Sequence, residues 1–150
     1  PLPVPEDLWW VVYTPGCEVK TADARAVLPA RVSLGEAVVQ AGRLGALVHA
    51  LHTGDLELLG ESINDEIVEP ARARLVPGFL EAKAAVLEAG ALACTISGAG
   101  PTTFCLARSE ERAKVLLELF DEAFTNAAVP GRGLVGRAGA GARVVGRLLN

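Results

Sequence analysis

The sequence contains no methionine, only three cysteines, and no apolar run approaching the length needed to cross a bilayer, which is about 20 residues. Cys17, Cys94 and Cys105 stand far apart in apolar surroundings, with an odd total and no CxxC pair. That pattern excludes a disulfide framework and reads as buried, reduced thiols of a cytoplasmic protein. Basic charge is also scarce: 14 Lys and Arg against 18 Asp and Glu leave a formal net charge of −4. The basic residues are scattered, so no nucleic-acid surface is expected and small molecules are the expected partners. The opening PLPVPEDLWW lacks the basic start of a signal peptide. With no membrane segment, a soluble protein is expected. Without a methionine, and with proline-spaced residues 1–7 running into an apolar stretch, the chain reads as a piece of a longer protein entered through a linker.

At 150 residues and 51% apolar composition the chain has the size of one domain with a useful core. LWWVVY, Leu8 to Tyr13, is a short apolar run between Pro5 and the Pro15-Gly16 turn, and predicts a buried strand. Thr21 offers an N-cap hydroxyl, with Asp23 in the first turn, for a short helix ending before Pro29 and carrying Arg25. Ser33 and Glu36 have capping-box spacing, and Ala37, Ala41, Leu44, Val48 and Leu51 share one helical face as far as Gly54. From Asp55 a second helix is expected, with Leu56, Leu59, Ile63 and Ile67 inward, until Pro70 ends or bends it. Phe79 to Ala89 predicts a small-residue helix closed by Gly90.

Two β-like runs follow, Ala91 to Ile96 and Thr102 to Leu106, separated by SGAGP and suited to pairing. Ser109 then caps a helix whose Ala113, Leu116, Phe120 and Phe124 repeat at three- and four-residue intervals. The glycine-rich tail holds strand candidates near Leu134 and Val144. The order predicts an α+β fold: a ferredoxin-like layer, a mostly antiparallel sheet covered on one face by helices, including those capped by Ser33 and Ser109.

Chemistry concentrates in ISGAGPTTF, Ile96 to Phe104. Gly98 and Gly100 permit positive φ and carry no Cβ, so backbone N–H groups and the Ser97, Thr102 and Thr103 hydroxyls could surround an oxyanion. A tight turn between strands explains the same residues, and the Lys of a Walker motif is missing. His49 and His52 stand three apart on a helix, but no third ligand accompanies them, so they read as a structural or exposed pair and no metal site is expected. Glu69 is positioned to brace Arg72 or Arg74.

The run GALACTISGAGPTTFCLA resembles the third signature of the GHMP kinases, a superfamily of small-molecule kinases, in which a glycine-rich loop closes beside the nucleotide phosphates. NDEIVEPARARLVPGFLEAK, Asn64 to Lys83, resembles the EPxR and LxPGF pattern of its homoserine kinase family. VKTADARAVLP, Val19 to Pro29, is similar to that family's TxxAR segment. The resemblance implies substrate contacts at Thr21, Arg25 and Arg72 and a phosphate-side loop at Ser97, Gly98, Ala99 and Gly100. It implies homoserine and ATP with Mg2+ as ligands, and a GHMP kinase C-terminal domain over residues 1–150, with 1–7 as the linker from an amino-terminal nucleotide-binding half. The family's PxxxGLGSSA nucleotide loop and its magnesium-holding acid have no counterpart here. No catalytic residue is therefore expected in this half, and the chain alone is expected to be inactive.

Guanidinium groups suit this assignment, since they grip carboxylates through paired hydrogen bonds. Taken without the resemblance, the same arginines read as solvated charges. Two alternatives stand beside the homoserine kinase reading: another GHMP small-molecule kinase, against which EPxR and LxPGF weigh, and a non-catalytic ferredoxin-like ligand-binding module. A homodimer is compatible with the sequence, which does not fix the oligomeric state.

Overall fold

The structure, a computed structural model, describes residues 2–139 and 141. The apolar run after the prolines forms β1 (Trp9–Thr14), and the two later runs form β2 (Ala93–Ile96) and β3 (Thr103–Ala107). A fourth strand, β4 (Arg132–Arg137), contains Leu134, while the expectation at Val144 lies outside the described residues. The four make one antiparallel sheet in the order β2-β3-β1-β4. Val11 stands opposite Cys105 on one side and Val135 on the other, and Cys94 opposite Cys105.

Among the described residues the helices are α1 (Thr21–Ala26), α2 (Leu34–Thr53), α3 (Leu56–Ser62), α4 (Glu69–Ala73), α5 (Phe79–Glu88) and α6 (Glu110–Asn126). With α1 to α4 set aside as an insertion, the remaining order β1-α5-β2-β3-α6-β4 is the split βαβ arrangement of ferredoxin-like layers. Alternation along the strands explains the layering. Val11, Tyr13, Cys94, Cys105 and Ala107 share the face covered by Phe79, Ala82 and Val86 of α5 and by Ala113, Leu116, Phe120 and Phe124 of α6. Tyr13 stacks on Phe124 with ring centroids 5.1 Å apart. Leu8, Leu106 and Trp10 instead join a smaller cluster with Ala50, Leu56 and Leu59.

Several local expectations are corrected. Thr21 does not cap α1: Lys20 holds the N-cap position without a side-chain bond, and Thr21 is the first helical residue. The Ser33 capping box forms, and Gly54 ends α2 at φ 73°. The α2 stripe does not cover the sheet, however. Leu44 is 63% exposed and Val48 38%, because α2 packs on α3 and reaches the smaller cluster only near its end, through Leu47, Ala50 and Leu51. Pro70 does not end a helix but sits in the first turn of α4, where its missing N–H costs no intrahelical bond. Ile63 consequently caps α3, and Ile67 lies in the connection. Cys94 and Cys105 are buried, but Cys17 is only half-buried. Burial pushes the Cys94 thiol up to about 12 and raises those of Cys105 and Cys17. These thiols are held protonated.

Candidate functional site

β1 leaves the sheet at Thr14, at the same end as the turn from β2 to β3. There the Thr14 and Thr102 hydroxyls lie 2.9 Å apart, fixing the strand exit to the base of the glycine loop. Within the loop, Ser97 N donates to Thr102 O at 2.8 Å and Gly100 N to Ser97 O at 3.1 Å. Gly98 and Gly100 take φ 58° and 84°, the left-handed region that favours glycine. A Cβ on Gly98 would meet nothing within 4 Å, so the tip is open, whereas one on Gly100 would press on Ile96 Cγ2 at 3.2 Å. Ser97 and Gly98 are exposed, and among the described residues the Gly98 and Ala99 N–H groups have no protein acceptor. Two unspent donors beside a serine hydroxyl are groups of the kind that can receive a phosphate or carboxylate oxygen.

Arg72 joins this loop to α1. Its Nε donates to Ala24 O at 3.2 Å and its Nη1 to Gly98 O at 2.7 Å. The Ala24 carbonyl lies at the end of a six-residue helix, where Leu28 N turns to Arg25 O instead, so the arginine supplies the acceptor's partner. Arg72 is half-buried, while Thr21 and Arg25, one turn apart on α1, are exposed. The family resemblance named Arg72 as a substrate contact, while the sequence by itself gave no hint that two of its donors are spent on backbone carbonyls. The contacting elements are 48 and 26 residues away in the chain.

Glu69 does not brace Arg72 or Arg74. It pairs with Lys83 of α5, and its Oε2 is buried without a partner. The pair spans 14 residues with no local periodicity to announce it. His49 and His52 are exposed, and His52 Nδ1 lies 2.9 Å from Val48 O. Among the described residues no group of three or more His, Cys, Asp or Glu is gathered where it could hold a metal ion. No helix among them is long and apolar enough to cross a membrane. A groove of about 570 Å³ between α5 and α6 and one of about 480 Å³ between α6 and β4 are lined by no residue of the loop.

The family described as GHMP kinases C terminal matches residues 47–126, a segment that includes α4, Arg72 and the whole glycine loop. The chain belongs to the GHMP kinases. Among relatives of this GHMP kinase domain, the homoserine kinase of Chlorobium phaeobacteroides is 46% identical over 124 residues, covering 83% of this chain and 39% of that protein. That of Arabidopsis thaliana is 44% identical over 123 residues, covering 81% and 33%. The crystal structure of homoserine kinase from Cytophaga hutchinsonii superposes with a TM-score of 0.88 at 43% identity, over 91% of this chain and 43% of that one. The chain thus spans well under half the length of these relatives. The α+β layer expected from the strand order is also the fold of the matched part of that crystal structure.

Proposed function

We propose that this GHMP kinase domain is the C-terminal part of a homoserine kinase, a cytoplasmic enzyme of threonine biosynthesis that phosphorylates the side-chain hydroxyl of homoserine to O-phosphohomoserine. The observation that carries the reading is Arg72, whose guanidinium reaches both α1 and the glycine loop in a chain 46% identical to a homoserine kinase. Homoserine presents a carboxylate at one end and the acceptor hydroxyl at the other. Arg72 keeps the edge formed by Nη1 and Nη2 for that carboxylate, with Arg25 as second cation and Thr21 as hydroxyl partner on the exposed side of α1.

ATP, bound with Mg2+, supplies the γ-phosphoryl group. On this chain Ser97, Gly98, Ala99 and Gly100 form the phosphate side of the site, through the free N–H groups of Gly98 and Ala99. The residues described here fit an oxyanion in this way. They offer no acidic cluster for the magnesium, and that ligand set and the nucleotide loop are assigned to the amino-terminal half of the longer protein. Holding both ends of the acceptor removes its rotational freedom before transfer, an effect that can contribute several kcal/mol to a reaction of this type, roughly 7 at the least for ideal alignment.

The test is ADP release by the full-length protein with homoserine as acceptor. Homoserine-dependent turnover is expected, with none from the 150-residue chain alone. Release that ignores homoserine but responds to another small alcohol, mevalonate for instance, would overturn the acceptor assignment and keep the kinase.

A further inference from the structure

The geometry points to a second role for Arg72: it is a positioning residue that couples occupancy of the acceptor site to the placement of the glycine loop. This inference rests on the homoserine kinase reading for the identity of the ligands, but not for the link itself. A guanidinium has five N–H donors. Two are directed at Ala24 O and Gly98 O, leaving one on Nη1 and two on Nη2. An acceptor carboxylate binding to the Nη1–Nη2 edge therefore shares Nη1 with the loop carbonyl. Among the described residues, no other side-chain hydrogen bond joins α1, or the loop tip from Ser97 to Gly100, to another element. The backbone bonds of Ser97 N to Thr102 O and of Gly100 N to Ser97 O hold the two ends of the loop, whereas the Gly98 carbonyl between them accepts from Arg72, at a residue in the left-handed region with open space on its Cβ side.

The consequences follow from linkage. A carboxylate that immobilises Arg72 also fixes the bond donor for Gly98 O, and with it the outward N–H groups of Gly98 and Ala99. A phosphate received by those N–H groups stabilises the same loop position and so the same Arg72 rotamer. Each ligand must then raise the affinity of the other by one common factor. Lysine cannot reproduce this arrangement. It keeps the charge, but its ammonium is a point donor without the planar fork that spans two carbonyls and a carboxylate at once.

Two measurements on the full-length protein test the link. The first is homoserine affinity by calorimetry, with and without a non-hydrolysable ATP analogue and magnesium. The wild type should bind homoserine at least about fivefold more tightly when the analogue is present, the lower end of typical coupling. Arg72→Lys should abolish that factor, while Arg25→Lys should weaken homoserine binding and keep it. A factor that survives in Arg72→Lys, or that is equally lost in Arg25→Lys, overturns the proposal, as does a wild type that binds homoserine with no coupling.

The second measurement is amide exchange without ligands. Arg72→Lys should speed exchange at Ser97 and Gly100 by roughly tenfold or more, as expected for a locally released segment, and leave the β3 amides unchanged. Unaltered loop exchange overturns the link. A wild type that binds no homoserine at all refutes the acceptor reading instead, and the exchange result still decides whether Arg72 holds the loop.

Discussion

Removing a single oxygen from the core should show how firmly β4 is tied to the sheet. The Tyr13 side chain is 1% exposed, and its hydroxyl donates to Asp121 Oδ1 at 2.7 Å while accepting from Gly131 N at 2.8 Å, just ahead of β4. Tyr13→Phe keeps the ring stacked on Phe124 and deletes both bonds. A hydrogen bond to a charged group contributes about 1.5–3 kcal/mol and a neutral one about 1 kcal/mol. Asp121 is exposed and recovers water, so the loss should fall at about 1.5–3 kcal/mol in total. For a domain of this size that lowers Tm by roughly 3–12 °C. Urea denaturation of Tyr13→Phe, Asp121→Ala and the double variant measures the loss and the coupling, which should be about 1 kcal/mol. Desolvation, then the bond to Asp121, raises the Tyr13 pKa above its ordinary value of 10. The stability linked to the neutral phenol is therefore complete below that value and declines as pH rises from it through the folded-state pKa. Tyr13→Phe should be less sensitive to pH in that range. A loss below about 0.5 kcal/mol, the scale of ordinary surface changes, would refute the reasoning.

Four further substitutions test packing, a buried ion pair and a helix cap. Gly60→Ala should destabilise by about 1–3 kcal/mol despite better helix propensity, because its Cβ would lie 2.3 Å from Leu92 O, whereas Gly42→Ala, with nothing within 4 Å, should stabilise by about 0.5–1 kcal/mol; chemical denaturation checks both signs. Lys83→Met strips the remaining partner from the buried Glu69 carboxylate and should cost about 3–5 kcal/mol, with Glu69→Gln added to it restoring much of the loss in the same assay. Ser33→Ala should cost about 1 kcal/mol by opening the α2 capping box, measured by thermal melts. The backbone N–H of Ser33 holds the Glu36 carboxyl below its ordinary value of 4.5, so that cap's contribution is present above this pH and fades as pH falls through the folded-state pKa.

The sheet and its covering helices were legible because their causes are local. The run from Trp9 to Tyr13 is apolar throughout, and Ala113, Leu116, Phe120 and Phe124 repeat at the helical period, so strand and helix could be read before any contact was known. The glycine loop was legible for a similar reason: positive φ at Gly98 and Gly100 needs residues without Cβ. What escaped was set by distance in the chain. The apolar stripe of α2 predicted burial, but only its last turns reach the smaller cluster. Pro70 looked like a stop, since a proline at a helix start and one after a helix end read alike without the neighbouring turn. The partner of Glu69 lay on another helix, and the carbonyls held by Arg72 became visible only once α1, α4 and the loop met at one end of the sheet.

The central claim is that this end of the sheet holds the acceptor while the loop serves the phosphates, and steady-state kinetics on the full-length enzyme tests it most directly. With homoserine and ATP varied in turn, Arg25→Ala and Arg72→Ala should each raise the homoserine KM about ten- to a hundredfold, the loss of one charge-assisted contact. In Arg25→Ala, which does not touch the loop, the ATP KM should change far less. If the loop lies beside the phosphates as proposed, a bulky residue at Gly98 should instead lower kcat by obstructing it. An Arg25→Ala or Arg72→Ala enzyme whose rate keeps the wild-type dependence on homoserine would contradict the account.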